Sequence, residues 1–230
     1  MKRPFFVLLF GVGLFLLLKM LGQQVGESAA RVSAGLEVVR PATVASSPVV
    51  ALTFDDGPSK QWTEGLLNGL KERNVKATFF LIGANVEGNE PLVERMVAEG
   101  HLIGNHTYSH VQLTTISHEA ACKEIEEANA VLSAAVGEGI HYIRPPFGSW
   151  QEGLDSLVDM EVVLWTGDPQ DWKVQNTDRI VEKVLREVED GDIILLHDVY
   201  RESVEAAFQI IDELQRRGYE FVRVDELLLD

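Results

Sequence analysis

The sequence has very little cysteine and comparatively little positive charge. Cys122 is the only cysteine among the 230 residues, so no disulfide can form within the chain. Lys and Arg number 20 against 36 Asp and Glu, which gives a formal net charge of −16 at pH 7. Phosphate binding needs clustered Lys and Arg, and the sequence has no such cluster. The composition therefore excludes a disulfide scaffold and argues against a nucleic-acid partner.

Short repeats and low-complexity tracts are also absent. Hydrophobic residues make up 46% of the chain and charged residues 24%, the balance of an ordinary globular protein with one sizeable core. The composition changes only near the N-terminus. We therefore predict three segments: a leader over residues 1–22, a linker over residues 23–47 and one domain over residues 48–230, which we expect to be a monomer.

The leader begins with Met1-Lys2-Arg3 and continues as an apolar run over residues 4–18. This order is typical of an export signal. The run is slightly short for a spanning helix, although Lys19 could snorkel and let the helix extend. Candidate cleavage sites with small residues lie far from the apolar run. No cysteine lies near the run, which excludes a lipoprotein. The pattern favours an uncleaved membrane anchor over a cleaved signal peptide, and both alternatives place the domain outside the cytoplasm.

Seven short apolar segments have the pattern of buried parallel strands. They cover residues 49–54, 77–82, 102–105, 140–143, 161–166, 192–196 and 220–224. Between them, apolar residues recur three and four apart, as in helices that pack one face on a sheet. Seven β/α alternations are one short of the usual eight. We therefore predict an α/β fold with a distorted or incompletely closed (β/α)7 barrel, with a doubly wound open sheet as the alternative.

Polar residues follow the ends of five predicted strands. They are Asp55 with Asp56, His106 with His110, Arg144, Asp168 with Asp171, and His197. The loops after parallel barrel strands share one mouth, so these side chains are expected to converge in an active site.

Two of these clusters suggest a metal site. His106 and His110 are four residues apart, and on one helical turn both imidazoles would point to the same side. One Asp and two His supply three protein ligands and leave a position for water, as in catalytic zinc sites. Adjacent carboxylates cannot both point the same way from an extended chain, so one of Asp55 and Asp56 could bind the metal while the other faces the substrate. This arrangement also argues against the flanking carboxylate pair of a glycosidase.

Five motifs then occur in a fixed order: TFDDGP, HTYSH, RPPFG, DPQDW and LLHD. In this order they resemble the NodB-type polysaccharide deacetylases, carbohydrate esterase family 4, over residues 49–229. The resemblance implies a distorted (β/α) barrel and metal-dependent removal of N- or O-acetyl groups from sugars.

The resemblance also implies residue roles. The implied metal ligands are Asp56, His106 and His110. The implied catalytic residues are Asp55, Arg144, Asp171 and His197. The residues expected to contact the substrate are Pro146, Phe147, Trp172 and Leu195. Asp55 would be the general base, oriented by Arg144. His197 would be the general acid, paired with Asp171. Phe147 stands where the family often has tyrosine, and this departure does little harm because a backbone N–H is expected to contact the oxyanion.

The remaining histidines and tryptophans have plainer interpretations. We expect His101, His118 and His141 to be structural or solvated, Trp62 and Trp165 to be packing residues, and Trp150 to help line the groove.

Three functions remain open at this stage. The favoured function is deacetylation of N-acetylglucosamine or N-acetylmuramic acid in cell-wall glycan or chitin-like oligomers. An esterase acting on O-acetylated polysaccharide such as acetylxylan would use the same residues, and a non-catalytic glycan-binding barrel is the alternative of a different class. Zn is the expected ion, although Co, Ni or Mn would also suit one Asp and two His.

Overall fold

Seven parallel strands form one curled sheet in the computed structural model, which describes residues 47–228. The strands are β1 Val49–Asp55, β2 Thr78–Leu81, β3 Leu102–Asn105, β4 Tyr142–Ile143, β5 Glu161–Val162, β6 Asp192–His197 and β7 Glu220–Val222. The predicted leader and nearly all of the predicted linker lie outside the described residues, and those predictions remain untested. Within the described range, no helix is long and apolar enough to span a bilayer.

The strand order is β5-β4-β3-β2-β1-β6. β7 pairs with Val49–Ala51 of β1, next to the stretch Thr53–Asp55 that pairs with β2. β1 is therefore central, and all its residues after Val49 are buried. Such a strand is covered on both faces, which explains why its sequence is a nearly continuous apolar run.

Helices follow the strands and cover the sheet. They are α1 Thr63–Glu72, α2 Glu90–Ala98, α3 His118–Val136, α4 Asp171–Val174, α5 Thr177–Glu187, α6 Arg201–Arg216 and α7 Val224–Leu228. The helix signals in the sequence agree with these bounds. Pro91 lies in the first turn of α2, and the side chain of Asn176 caps α5 by accepting from the Arg179 backbone N–H.

The main core lies between the sheet and these helices. It includes Leu52, Phe54 and Phe79 from the strands and Leu66 and Ile210 from α1 and α6, all fully buried. Burial of large apolar side chains of this kind contributes roughly 1.5–3 kcal/mol each. A smaller cluster, which includes Ala51 and Phe80, fills the concave side of the sheet.

The sheet does not close as a continuous ladder between β5 and β6. Gly167 and Ile194 form an isolated bridge there, and β5 itself ends at Val162. The predicted strand over residues 161–166 is therefore too long. The reason is that the carbonyls of Val163 and Leu164 accept hydrogen bonds from the buried Arg144 side chain. The predicted distorted, incompletely closed barrel is thus present as a curled half-barrel rather than a flat doubly wound sheet.

The carboxyl ends of the strands meet at one edge of this sheet. Asp55 at the end of β1 is aligned with His197 at the end of β6. His106 directly follows β3 and Arg144 directly follows β4. The fold therefore brings the predicted site residues of distant motifs to one place.

Candidate active site

A pocket of about 370 Å³ opens at the carboxyl ends of the strands. Its lining contains eight of the eleven predicted site residues: Asp55, Asp56, His106, His110, Phe147, Trp172, Leu195 and His197. Two others, Arg144 and Asp171, are fully buried behind this lining. Pro146 is buried next to Phe147 and does not line the pocket.

The three predicted metal ligands lie close together. Oδ1 of Asp56 is 3.4 Å from Nε2 of His106 and 3.3 Å from Nε2 of His110. This Oδ1 atom is buried and has no hydrogen-bond partner among the described residues. A buried carboxylate oxygen without a partner is costly, and two imidazole nitrogens beside it complete a set that suits a divalent cation. These residues therefore fit a metal site.

Further contacts orient the imidazoles of His106 and His110, two of the predicted metal ligands. Nδ1 of His106 lies 2.6 Å from the backbone carbonyl oxygen of Arg144. A hydrogen bond to that carbonyl places the ring proton on Nδ1 and leaves Nε2 free toward Asp56. The ring of His110 packs edge-on against Phe147, with 4.9 Å between the ring centroids.

The electrostatics of the ligands depends on burial and on their mutual contacts. Burial opposes ionisation of Asp56, but the imidazoles of His106, His197 and His110 bring the pKa of Asp56 below its ordinary value. Burial lowers the pKa of His110, and Asp56 opposes that shift. An ionised carboxylate and a neutral imidazole are the forms that bind a metal.

The two histidines reach the site from a loop, so the expected helical turn is wrong. Thr107 and His110 have positive φ values of 61° and 58°. The side chain of Asn105 accepts from the Thr107 backbone N–H, and Glu124 of α3 accepts from the Ser109 backbone N–H. These contacts fix a non-helical loop that still directs both imidazoles to Asp56.

The two aspartates also behave differently from the expectation for an extended chain. Asp56 has a φ of 74°, so the chain turns immediately after β1. As a result both carboxylates approach one imidazole: Oδ2 of Asp55 is 3.8 Å and Oδ1 of Asp56 is 3.4 Å from Nε2 of His106. The premise of an extended chain therefore does not hold at Asp56.

Arg144 holds Asp55 from below the pocket. Its Nη1 atom donates to Oδ1 of Asp55 at 2.8 Å and to Oγ1 of Thr53 at 2.7 Å. Its guanidinium also lies over the ring of Phe80, with Cζ 4.2 Å from the ring centroid. This fully buried arginine therefore leaves Asp55 one oxygen, Oδ2, to face the pocket.

His197 is held by Asp171 on the opposite side of the pocket. Nδ1 of His197 lies 2.9 Å from Oδ1 of Asp171, and Oδ2 accepts from the His197 backbone N–H at 2.9 Å. Ser203 of α6 also donates to Oδ2. Burial lowers the pKa of His197, but the hydrogen bond and charge of Asp171 outweigh burial and raise it to about 9. The imidazolium form is therefore favoured at neutral pH.

Aromatic side chains form the walls of the pocket. Phe147 is 65% exposed and Trp172 is 47% exposed, which leaves both rings available to a ligand. Trp165 also lines the pocket, so its interpretation as a packing residue alone is wrong. Trp150 instead donates to Asp155 and packs in a separate cluster, so the groove role expected for it is wrong.

Tyr200 lines the pocket but was missed by the sequence motifs. Its ring lies edge-on to His197, with 6.1 Å between the centroids. A usable signal was its position just after the LLHD motif, where a loop follows the end of β6. The other histidines match their plain interpretations: Nδ1 of buried His101 accepts from the Ala77 backbone N–H, and His118 bonds the carbonyl of Glu152.

The chain is similar to polysaccharide deacetylases over most of the described range. Residues 43–162 match the family model described as "Polysaccharide deacetylase". The chain is 41% identical over 179 residues to the peptidoglycan-N-acetylmuramic acid deacetylase PdaC of Bacillus subtilis, an alignment that covers 78% of this chain and 38% of PdaC. A solved structure of PdaC superposes with a TM-score of 0.77 at 40% identity, over 79% of this chain and 90% of that chain.

Two further relatives differ in their named substrates. The chain is 38% identical over 178 residues to the peptidoglycan-N-acetylglucosamine deacetylase PgdA of Listeria monocytogenes, covering 77% of this chain and 38% of PgdA. It is 39% identical over 162 residues to a chitooligosaccharide deacetylase of Sinorhizobium fredii, covering 69% of this chain and 75% of that protein. The alignments thus span well under half the length of PdaC and PgdA. The matched family model and these relatives show that the chain belongs to the NodB-type polysaccharide deacetylases, carbohydrate esterase family 4.

Proposed function

We propose that the protein is a metal-dependent N-deacetylase of cell-wall polysaccharide. The observation that carries this proposal is the unpartnered, buried Oδ1 of Asp56 between two imidazole nitrogens. On either side of this ligand set lie a buried carboxylate held by an arginine and a histidine held by a carboxylate. A metal site together with one general acid and one general base can catalyse the hydrolysis of an acetamide.

Asp56, His106 and His110 would hold the ion, and Zn is the ion we propose, with Co, Ni or Mn as alternatives. A divalent ion bound there would polarise the acetyl carbonyl and lower the pKa of water to about 7. The contact between His106 and the Arg144 carbonyl supports this assignment because ligating imidazoles generally donate their other N–H to an acceptor of this kind.

Asp55 is the proposed general base. Arg144 occupies its Oδ1, so Oδ2 is the atom available to accept a proton from the attacking water. The same hydrogen bond fixes the orientation of the Asp55 carboxyl group. Phe147 lies across the pocket, and its backbone N–H is the proposed donor to the oxyanion, a contact generally worth roughly 3 kcal/mol.

His197 is the proposed general acid. An amine leaves poorly as an anion, so a proton must reach the nitrogen as the carbon–nitrogen bond breaks. The contact with Asp171 occupies Nδ1 and raises the pKa of His197 to about 9, which keeps a proton on the ring at neutral pH. Nε2 is then the nitrogen that can donate to the leaving group.

The amide substrate is favoured over an ester because the site maintains a protonated histidine, which an ester with a better leaving group needs less. The names of the relatives support the same choice, since they specify N-acetylmuramic acid, N-acetylglucosamine and chitooligosaccharide. The leader pattern supports action outside the cytoplasm, by a membrane-anchored or secreted protein. Recovery of the full-length chain in the cytosol on cell fractionation would contradict that location.

Mass spectrometry of acetylated substrates tests the reaction and the substrate together. The metal-loaded protein should remove acetyl groups from peptidoglycan fragments or chito-oligosaccharides. Each removal should lower the mass by about 42 Da, the difference between an acetyl group and a hydrogen atom. Acetylxylan, offered in parallel, should react more slowly. Faster acetate release from acetylxylan would favour the O-acetyl esterase, and glycan binding without any acetate release would favour a non-catalytic barrel.

A further inference from the structure

The carboxyl group of Asp198 is fully buried beside the active site, and neither the proposed base nor the proposed acid uses it. Asp198 follows His197 directly, and its Oδ2 accepts a hydrogen bond from the hydroxyl of Thr63 at the start of α1. Its Oδ1 is buried and has no hydrogen-bond partner among the described residues. A buried carboxyl group with one partner is costly to maintain, so its position calls for a role.

The carboxyl packs directly against the turn that carries Asp56. A Cβ added to Gly57 would overlap the Asp198 carboxyl group, so these two residues are in close contact. Thr63 continues the connection, because its Oγ1 accepts from the Ser59 backbone N–H at 2.7 Å. Asp198 therefore touches one side of the turn over residues 56–59 directly and reaches its end through Thr63.

The same turn is also held by the segment after β2. The side chain of Asn85 donates to the Asp56 carbonyl at 2.8 Å, and the Ile82 backbone N–H donates to the Gly57 carbonyl at 3.0 Å. The turn thus contacts two separate parts of the chain, Ile82 with Asn85 after β2 and Asp198 after β6. These contacts stabilise the φ of 74° at Asp56, a left-handed conformation that is uncommon for residues other than glycine.

From this arrangement we propose that Asp198 is a positioning residue that fixes the Asp56 turn and thereby sets the affinity of the metal site. The proposal rests on the proposed metal-binding function. The proposed role of Asp198 is exerted through its contacts with Gly57 and Thr63. Burial raises the pKa of Asp198 to about 7. Asparagine keeps the shape of this side chain and an oxygen that can accept from Thr63.

The experiment measures Zn²⁺ affinity by competition with a chromophoric chelator, together with thermal stability, for wild type, Asp198→Asn and Asp198→Ala. Asp198→Ala should bind Zn²⁺ about 10- to 100-fold more weakly, the usual cost of losing a contact behind a metal ligand. Asp198→Asn should retain near-wild-type affinity because it keeps the shape and the acceptor for Thr63. Asp192→Ala is the matched control, since it removes a hydrogen-bonded carboxylate at the opposite end of β6.

A double-variant comparison keeps the proposal testable if Asp198→Ala folds poorly. Gly57→Ala should weaken Zn²⁺ binding in the wild-type background, because its methyl group displaces the turn or the carboxyl. The same change should cost less in the Asp198→Ala background, where space is available. Unchanged Zn²⁺ affinity in folded Asp198→Ala and Gly57→Ala, or strictly additive losses in the pair, would overturn the positioning role. Failure of wild type to bind Zn²⁺ would instead overturn the proposed metal site.

Discussion

Both carboxylate oxygens of Asp171 contact His197: Oδ1 lies 2.9 Å from the ring Nδ1, and Oδ2 accepts from the backbone N–H at 2.9 Å. The ring and its main chain are therefore fixed by one buried side chain. The same contact raises the pKa of the ring to about 9 against the effect of burial. The pair therefore favours a protonated imidazole above neutral pH, as the general-acid role proposed for His197 requires.

Replacing Asp171 by Asn should shift the alkaline limb of the pH–rate profile to lower pH. The imidazolium would lose its neighbouring negative charge while its burial remains, so its pKa would fall by about 1–3 units. Ser203→Ala is the matched control, because Ser203 donates to Asp171 but its loss leaves the carboxylate charge in place. An alkaline limb at the same pH in Asp171→Asn and wild type would exclude His197 as the group that titrates.

Replacing His106 or His110 by Ala should remove tightly bound metal. Either change leaves two protein ligands, so the affinity should fall by more than the 10- to 100-fold that loss of an outer contact costs. His118→Ala provides the control, since that histidine bonds the Glu152 carbonyl and lies outside the pocket. Metal content measured after dialysis should fall in the first two variants and not in the third. Stoichiometric metal in all three would refute the ligand assignment.

His197→Ala should damage amide hydrolysis more than ester hydrolysis. A general acid generally contributes about 10²- to 10⁴-fold to the rate, and an activated acetate ester with a good leaving group needs little protonation. The comparison is the ratio of kcat/KM for the N-acetylated oligosaccharide to that for the ester, in wild type and variant with metal content matched. Equal losses on both substrates would show that His197 does not act mainly by protonating the leaving group.

His101 should make stability depend on pH independently of the active site. Burial lowers its folded-state pKa from 6.5 to about 4, with a further contribution from Lys76. Between pH 6.5 and 4, unfolding therefore takes up a proton at His101. The contribution of neutral His101 to the free energy of unfolding is complete above pH 6.5 and is lost as the pH falls toward 4. The expected loss is about 1.4 kcal/mol per pH unit, roughly 3 kcal/mol in all.

Urea unfolding at pH 7, 6, 5 and 4 measures this contribution by comparing wild type with His101→Asn. Asparagine can still accept from the Ala77 backbone N–H, which bonds Nδ1 of His101. The variant should therefore show a shallower fall in the free energy of unfolding between pH 6.5 and 4. His141→Asn serves as the control because His141 is exposed. Parallel curves for wild type and His101→Asn would count against this assignment.

The fold was predictable where local sequence and burial agree. β1 and β6 are continuous apolar runs, and their bounds differ from the prediction by one residue at most. β5 was predicted too long because its apolar residues continue past Val162, while the carbonyls that would extend the ladder accept from the Arg144 guanidinium, which follows β4. Arg144 is 19 positions from Val163 and 20 positions from Leu164, so local periodicity cannot reveal these contacts.

The convergence of the predicted site residues on one pocket could be predicted from the sequence, but the geometry of their loops could not. Residues at strand ends converge because parallel strands share a direction, so the convergence of the DD and HxxxH motifs followed from the topology. The conformation of their loops did not, because positive φ values at Asp56, Thr107 and His110 depend on contacts with distant helices and strands. The burial of Asp198 likewise depends on Thr63, a residue 135 positions away.

The most direct test of the account is acetate release from a chito-oligosaccharide by three preparations: metal-loaded wild type, chelator-treated wild type and metal-loaded Asp55→Asn. Only the first preparation should release acetate at the wild-type rate, and adding Zn²⁺ back should restore the second. Asp55→Asn should retain its metal, because Asp56, His106 and His110 remain, yet lose about 10²- to 10⁴-fold in rate. Full activity after complete removal of metal, or wild-type rates in Asp55→Asn, would contradict the account.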